Sequence, residues 1–239
     1  MRLADRVALV TGASRGIGRA VCLRFAAEGA HVLALARTVG ALEELDDEIR
    51  KQGGRVTLIP LDLADGRAID GLAAPLLERF GRLDILVANA ASLGQLTPVA
   101  QYPPELWEQV MAINLSANFR LVRALDPLLR ASAAGRAIFV TSGVTRHLPA
   151  YWGAYAISKA ALEAMVTTYA HEVAHSNLKV NLLNPGATRT AMRALAFPGE
   201  NPNALPSPET LTDAFVALAE ATSTPHGQWI SAGGSAADA

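Results

Sequence analysis

A tyrosine and a lysine four residues apart, Tyr155 and Lys159, stand at the start of a long helical pattern. Residues at positions i and i+4 share one face of a helix, so the ammonium lies beside the phenol or beside the molecule that the phenol contacts. The pKa of an ordinary tyrosine is about 10, and one nearby cation lowers the pKa of an acid by about 1 to 3 pH units. The pair favours proton transfer by the phenol, whereas the alternative is an amphipathic helix with a lysine on its solvent side.

Apolar runs that resemble strands alternate with helical periods and must position this pair. The runs cover residues 6–11, 31–36, 56–60, 83–89, 137–142 and 180–184, with a further helical pattern at 209–221 and a last strand at 228–231. Regular alternation of strand and helix predicts an α/β fold in which helices cover both faces of a parallel sheet. We expect one domain over residues 1–239, with an irregular loop at 196–208 that is rich in Pro, Gly and Asn.

The composition favours a protein that binds small molecules. Of the 239 residues, 51% are hydrophobic and 5% are aromatic, which suits helices packed on parallel strands. The net charge is −1, without a basic tail or an acidic block, so nothing favours nucleic acid or a membrane surface as a partner. We find no signal sequence and no apolar run of roughly 18 residues, and therefore expect a cytoplasmic protein. The one cysteine, Cys22, forms no intrachain disulfide.

A glycine-rich turn follows the first strand and opens the first helix. Its glycines, Gly12, Gly16 and Gly18, allow the backbone to approach a diphosphate closely at the helix N-terminus, although their G-x-x-x-G-x-G spacing differs from the G-x-G-x-x-G fingerprint. Arg37 follows the second strand, at the position where a protein that binds NAD would carry an acidic residue to accept hydrogen bonds from the ribose hydroxyls. Arg15 lies within the turn. Two arginines predict binding of a 2′-phosphate, and hence NADP(H) rather than NAD(H).

Together with further motifs, these residues resemble the short-chain dehydrogenase/reductase family over about residues 3–192. The motifs are Thr11 to Gly18, Asp62-Leu63, Asn89-Ala90-Ala91, Asn114, Ser142, Tyr155 with Lys159, and Asn184 to Thr190. They follow the order of the family, so the resemblance implies a Rossmann-like doubly wound parallel sheet of about seven strands with helices on both faces. The stretch at 185–198 is similar to that of a little-characterised bacterial subgroup.

The resemblance also implies which residues form the site. The implied catalytic residues are Asn114, Ser142, Tyr155 and Lys159. The implied cofactor-binding residues are Thr11, Gly12, Ser14, Arg15, Gly16, Ile17, Gly18, Arg37, Asp62, Leu63, Asn89, Ala90, Tyr155, Lys159, Pro185, Gly186, Thr188 and Thr190. Asp62 and Asn89 are expected near the adenine and its ribose. Thr188 and Thr190 are expected to hold the nicotinamide end and the diphosphate. A homodimer or homotetramer is expected through helices at 104–130 and 154–176.

The expected reaction is hydride transfer between a nicotinamide and a carbonyl or secondary alcohol. In reduction Tyr155 would be the acid, Ser142 would donate a hydrogen bond to the substrate oxygen, and Asn114 would position a water near Lys159. A lid at 191–208 is expected to close against a wall at 144–152. Their apolar side chains, which predict a hydrophobic ketone or a 3-oxoacyl thioester, are Leu148, Tyr151, Trp152, Met192, Leu195 and Phe197. The cations that would meet an anionic group are Arg146, His147 and Arg193.

Two other functions and two departures from the family pattern need consideration. His171, Glu172 and His175 match the H-E-x-x-H pattern of zinc peptidases, but no further His follows at the next-turn spacings, so we expect no metal. A sensor that binds NADP(H) without turnover is the second alternative.

Ala91 stands where the family usually has Gly, which places a methyl group close to the cofactor. The family's Asp-Gly-Gly after the last strand reads differently at 231–235, which affects the expected assembly contacts.

Overall fold

Seven parallel strands form one sheet in the computed structural model, which describes residues 1–232. In chain order they are β1 (Val7–Thr11), β2 (His31–Ala36), β3 (Arg55–Pro60), β4 (Ile85–Ala88), β5 (Arg136–Val140), β6 (Lys179–Asn184) and β7 (Trp229–Ser231). Across the sheet the order is β3-β2-β1-β4-β5-β6-β7. From β1 to β3 the strands are added towards one side of the sheet, and from β4 onward they are added towards the other side. This change of winding direction between β1 and β4 confirms the expected doubly wound fold. Residues 233–239, which belong to the predicted domain and include part of the C-terminal departure, lie outside the described range.

Helices connect the strands on both faces of the sheet. They are α1 (Gly16–Ala27), α2 (Val39–Lys51), α3 (Gly66–Asp70), α4 (Ala73–Phe80), α5 (Pro104–Met111), α6 (Ala117–Ala131), α7 (Val144–His147), α8 (Gly153–Glu172), α9 (Ala191–Ala196) and α10 (Thr212–Ala219). A π-helical segment, Ala112–Ser116, joins α5 to α6 without a break. Across residues 1–232, we find no helix with both the length and the apolar character that a membrane span requires.

The core consists of two layers because successive strand residues point to opposite faces of the sheet. Ala8 and Val10 of β1 pack in one layer with side chains of α1, α2 and α10. Val7 and Leu9 pack in the other layer with side chains of α4, α6 and α8. Burial on both faces explains why the strands read as nearly continuous apolar runs rather than as an alternating pattern.

Several element boundaries differ from those predicted. The expected helix at 154–176 ends at Glu172, and the expected strand at 83–89 is confined to Ile85–Ala88. The pattern at 209–221 begins as a 3₁₀ turn, Pro208–Leu211, before α10. The stretch at 196–208, predicted to be irregular, contains a second 3₁₀ turn, Pro202–Ala204. Asn201 stabilises that turn by accepting a hydrogen bond from the Asn203 N–H at 3.0 Å, and a proline at the first position suits its start.

Candidate active site

The predicted site residues meet at one edge of the sheet, where the parallel strands end. Thr11 ends β1, Arg37 follows β2, and Asn89 follows β4. Ser142 lies two residues beyond β5, and Asn184 ends β6. In an open parallel sheet, ligands bind outside the carboxyl ends of the strands where the chain direction reverses. The fold therefore brings the two predicted halves of the site, the phosphate turn and the Tyr155 helix, to a common crevice.

Close packing of the phosphate turn requires glycine at two positions. A Cβ on Gly18 would lie 2.2 Å from the Gly12 carbonyl oxygen, and Gly12 itself has a left-handed φ of +69°. No side chain caps the N-terminus of α1 at Arg15, so the first N–H groups of the helix are available to an anion. Thr190 approaches from the loop after β6, with its Cγ2 3.4 Å from the Cβ position of Gly16. This arrangement fits a diphosphate.

Hydrogen bonds hold the ends of β1 and β4 together beside this turn. The Thr11 hydroxyl accepts from the backbone N–H groups of Asn89 and Ala90, each at 3.0 Å. The Asn89 side chain donates to the Thr11 carbonyl at 2.9 Å. Ala91 has no left-handed φ, so its Cβ is accommodated without backbone strain, and its methyl group packs against the apolar cluster described below.

The residues expected at the adenosine end lie on the surface beside β2 and β3. Arg15 is exposed, and Arg37 is 62% exposed. The Arg37 guanidinium lies 3.6 Å from the Asp62 carboxylate, a surface ion pair that costs little to rearrange. Leu63 is buried in the core under α3, so its side chain supports the loop, and only its backbone can reach a ligand.

Tyr155 and Lys159 are both buried at the start of α8. The ammonium of Lys159 lies 5.9 Å from the centre of the Tyr155 ring and donates to the Val140 carbonyl at 2.8 Å. Burial lowers the pKa of Lys159 to about 8, and the nearby Glu163 carboxylate opposes this shift. Burial also raises the pKa of Tyr155, while its hydrogen bond with Ser142 acts in the opposite direction. The Tyr155 phenol is therefore neutral near pH 7. The lowered Tyr155 pKa that the four-residue spacing predicts would require a further cation near the ring.

Asn114 lies in the π-helical segment and is fully buried. Its side-chain oxygen accepts from the Ser92 N–H at 2.7 Å. Its side-chain nitrogen donates to the Ser92 carbonyl and to the Ser158 hydroxyl, each at 2.9 Å. These three bonds use the whole hydrogen-bonding capacity of the amide except one lone pair. Asn114 thus fixes the loop after β4 to α8, one turn of helix from Tyr155.

An apolar cluster adjoins the Tyr155 phenol. Its members are Ala91, Leu93, Leu96, Val144, Trp152, Tyr155, Ala156, Met192 and Ala196. Trp152 contacts the Tyr155 ring edge-on at 6.0 Å between centroids and the Phe197 ring at 5.7 Å. The expected wall and lid therefore contact each other through Trp152, Met192 and Phe197. Four residues expected to line the pocket are instead exposed: Leu148, Tyr151, Leu195 and, to the smallest extent, Phe197.

Two of the three cations expected near an anionic substrate group have partners elsewhere. Arg193 forms a bidentate ion pair with Glu200, in which its Nε and Nη2 atoms lie 2.6 and 2.7 Å from the two carboxylate oxygens. Its guanidinium also stacks on the Phe197 ring. Arg146 stacks on the Trp229 ring at 4.3 Å. His147 is exposed at the end of α7. Because Arg193 is paired with Glu200 and Arg146 faces an indole, neither is placed to select an anionic substrate.

The H-E-x-x-H pattern does not form a metal site in the described chain. Helix α8 ends at Glu172, so His175 lies in the following turn and not on the helical face of His171. All three side chains are exposed. Within residues 1–232, no group of three or more His, Cys, Asp or Glu is arranged to hold a metal ion.

Sequence reasoning missed several residues that organise the site. They are Ser92, Ser158 and Glu163, of which Ser158 donates to the Tyr155 carbonyl at 2.8 Å, while Asn184 was named only as the start of a motif and without a role. The side-chain oxygen of Asn184 accepts from the N–H groups of Gly143 and Gly186, each at 3.1 Å, which links the loops after β5 and β6. Two sequence features could have indicated these roles: an Asn at the end of a strand and a Ser three residues after Tyr155.

Comparison with known proteins gives consistent matches. The family model described as short chain dehydrogenase matches residues 6–201. The chain is 40% identical over 219 residues to uncharacterized oxidoreductase YciK of Escherichia coli (strain K12), covering 90% of this chain and 86% of the relative. It is 39% identical, with a TM-score of 0.93, to a short chain dehydrogenase from Shigella flexneri 2a strain 301 complexed with NADP, covering 97% of this chain and 98% of that one.

A short chain dehydrogenase from Escherichia coli CFT073, complexed with NADPH, gives a TM-score of 0.92 at 38% identity and covers 98% of both chains. The region that the family model matches runs from the start of β1 to a few residues beyond α9, and so includes the glycine turn, Ser142, Tyr155 and Lys159. Sequence, fold and site geometry agree, and the chain belongs to the short-chain dehydrogenase family.

Proposed function

We propose that this protein is an NADP(H)-dependent oxidoreductase that interconverts a carbonyl compound and its secondary alcohol. The observation that carries the proposal is the burial of Tyr155 and Lys159 together, with Ser142 beside the phenol, at the sheet edge that also carries the glycine turn. A buried phenol with a cation and a hydroxyl donor beside it is suited to proton transfer at a carbonyl oxygen.

The choice of NADP(H) rests on the phosphate turn and on two arginines. The uncapped N-terminus of α1 supplies N–H groups for the diphosphate, and Gly12 and Gly18 allow it to approach. Arg15 and Arg37 are exposed beside the end of β2, where a cation suits a 2′-phosphate. The NADP and NADPH bound by the relatives from Shigella flexneri and Escherichia coli support the same choice.

Each group near the phenol has a distinct role in the proposed reaction. When bound, the nicotinamide exchanges a hydride with the substrate carbon. Tyr155 gives a proton to the substrate oxygen in reduction and removes one from the alcohol in oxidation. Ser142 donates a hydrogen bond to the same oxygen as its charge develops. Lys159 favours the phenolate, and two of its three N–H donors remain for the ribose while one binds Val140.

Proton exchange with solvent uses the main chain of Asn114 rather than its side chain. The side-chain amide already bonds Ser92 and Ser158 and keeps only one lone pair of its oxygen. The Asn114 carbonyl accepts a hydrogen bond from the Asn118 side chain at 2.8 Å. We place the water that serves Lys159 on this carbonyl, which lies in the π-helical segment.

The substrate is a carbonyl compound with an apolar body. Trp152, Met192 and Phe197 close an apolar wall and lid over the cluster that contains Tyr155. With Arg146 and Arg193 paired elsewhere, a hydrophobic ketone fits the pocket better than a substrate that requires a buried anion. A 3-oxoacyl thioester remains compatible because its acyl chain is apolar and its carrier extends into solvent.

The test is NADPH consumption against a panel of hydrophobic ketones, diketones, quinones, aldehydes and acetoacetyl thioesters, with NADH in parallel. We expect turnover with NADPH, greater activity on apolar ketones than on carboxylated ones, and weaker activity with NADH. Binding of NADPH without turnover on any carbonyl would favour a sensor instead. Failure to bind either dinucleotide would contradict the proposal.

We further propose that the protein is a cytoplasmic homo-oligomer. Phe119 on α6 and Ile157 on α8 are 54% and 39% exposed, so these helices carry apolar surface suited to an interface between copies.

A further inference from the structure

The carboxylate of Glu163 joins three elements around the proposed active site to α8. Its Oε1 atom accepts a hydrogen bond from the Thr141 hydroxyl at 2.5 Å. The same atom accepts from the Thr145 hydroxyl at 2.9 Å and from the Trp229 indole N–H at 2.9 Å. Thr141 follows β5, Thr145 lies in α7, and Trp229 begins β7. Four elements therefore meet at one oxygen atom, one helical turn beyond Lys159.

Two of these hydrogen bonds act directly on the segment that carries Ser142. Thr141 precedes Ser142 in the chain, so its bond to Glu163 fixes the end of β5 against α8. The Thr145 hydroxyl lies 2.9 Å from the Ser142 carbonyl oxygen and 2.9 Å from Glu163 Oε1. A hydroxyl has one proton, so it donates to one of these oxygens at a time and remains close to both.

The charge of Glu163 also acts on Lys159. Burial is the dominant influence on the pKa of Lys159, and the Glu163 carboxylate is the charged neighbour that opposes it. The other titratable or charged groups that face this region are Tyr155 on α8 and Arg146 on α7, which lies across the Trp229 ring. The contacts from β5 and β7 are uncharged hydroxyl and indole groups. Glu163 thus helps Lys159 to remain protonated.

We propose that Glu163 is a positioning residue for the reaction described above: it fixes the Ser142 segment against α8 and keeps a negative charge beside Lys159. We assign it no contact with the substrate, because the hydrogen bonds of its Oε1 are made to the surrounding elements. The proposal rests on the proposed function for its catalytic consequence, whereas its effect on the titration of Lys159 is independent of any substrate.

Two substitutions separate the geometry from the charge. Glu163→Gln keeps an acceptor oxygen for Thr141, Thr145 and Trp229 but removes the charge. Glu163→Ala removes both. Glu172→Gln is the matched control, because Glu172 is an exposed carboxylate at the end of the same helix.

The first readout is the pKa of Lys159, measured by NMR of protein labelled at the lysine ε-carbon. With three lysines in the chain, Lys51→Arg and Lys179→Arg variants assign the signals. We expect Glu163→Gln to lower the pKa of Lys159 by about 1 pH unit, and Glu172→Gln to leave it unchanged. An unchanged Lys159 titration in Glu163→Gln would overturn the electrostatic part, whether or not a substrate is known.

The second readout is turnover of the best carbonyl from the panel, with NADPH affinity and melting temperature as checks on folding. We expect Glu163→Gln to move the alkaline limb of the kcat profile by about 1 unit to lower pH. We expect Glu163→Ala to lower kcat by about 10- to 100-fold with KM changed much less, because Ser142 loses its alignment. Wild-type kcat in Glu163→Ala would overturn the positioning role. A wild-type protein that turns over no carbonyl would contradict the proposed function, while the NMR titration would still decide the role of Glu163.

Discussion

Burial acts on Tyr155 and Lys159 in opposite directions, and in each case it opposes the charged form. The pKa of Tyr155 is raised, so the phenol holds its proton, as a proton donor in carbonyl reduction must. The pKa of Lys159 falls to about 8, which leaves most of the side chain protonated at pH 7. In the proposed mechanism this neutral phenol suits reduction, and oxidation would require an additional cation near the phenol.

Lys159→Met should raise stability while it abolishes activity. The pKa of Lys159 is about 8 in the folded protein and 10.5 ordinarily, so the unfolded chain binds more protons between these values and stability rises with pH across that window. Below pH 8 the buried ammonium costs the full difference, and its removal should stabilise the fold by about 1 to 3 kcal/mol at pH 7. Urea unfolding at pH 7 and pH 10 measures this, and a less stable variant at pH 7 would contradict it.

Arg37→Ala should weaken NADPH binding selectively. Arg37 is exposed and only weakly paired with Asp62, so it is free to bind a 2′-phosphate. Loss of a charged hydrogen bond costs about 1.5 to 3 kcal/mol, and the Kd for NADPH should rise by about 10- to 100-fold with little change for NADH. Arg50→Ala, at the other end of α2 and paired with Asp46, is the control for loss of a positive charge. Equal effects on both dinucleotides would show that Arg37 does not read the phosphate.

Among the elements, the π-helical segment between α5 and α6 has the clearest role in the site. It places Asn114 where its amide bonds the backbone of Ser92 on one side and Ser158 on the other. A local π turn changes the direction of a side chain within an otherwise continuous helix and is frequent at functional sites. The segment thus connects the loop after β4 to the helix that carries Tyr155.

Asn114→Ala should destabilise the protein by about 2 to 4 kcal/mol, because the half-buried backbone of Ser92 and the buried hydroxyl of Ser158 lose their partner. We also expect a lower kcat, since Ser158 and Tyr155 lose a support from this side. Urea unfolding and turnover are the measurements, with the exposed Asn177→Ala as control. A variant as stable as the control would show that water or a shifted backbone replaces the amide.

The sequence predicted the elements of the site better than the connections between them. Apolar runs and turn residues predict where the strands end. The sequence therefore placed Thr11, Asn89 and Ser142 correctly, at the carboxyl ends of the strands. The role of Glu163 could not be predicted, because its donors lie up to 66 residues away along the chain and no periodicity encodes them. Likewise, nothing in the spacing shows that Arg193 pairs with Glu200 instead of facing a substrate.

For the whole molecule, the exposed apolar side chains predict assembly. Phe119 on α6 and Ile157 on α8 are exposed, although both helices pack on the sheet through other side chains. Light scattering should give two or four times the chain mass of 25.1 kDa. Phe119→Glu should shift the protein towards the monomer, whereas Leu77→Glu on α4, where Leu77 is 56% exposed, should not. An unchanged mass for Phe119→Glu would exclude α6 from the interface.

The fold contributes more to the proposed reaction than any single acid. Holding the reactants in attack geometry contributes about 7 to 11 kcal/mol. General acid catalysis contributes about 10²- to 10⁴-fold in rate, which corresponds to only about 3 to 5 kcal/mol. The sheet edge, the Asn114 network and the Glu163 contacts together supply that geometry. Removal of the phenolic hydroxyl alone should therefore affect turnover without affecting the assembly of the site.

The most direct test of the account is a comparison of wild type and Tyr155→Phe, with NADPH affinity and NADPH consumption measured on the same carbonyl substrate. We predict the same affinity for NADPH in both proteins, and a rate in the variant that is lower by at least about 10²-fold. Wild-type turnover by Tyr155→Phe would contradict the assignment of the phenol as the proton donor and, with it, the proposed mechanism.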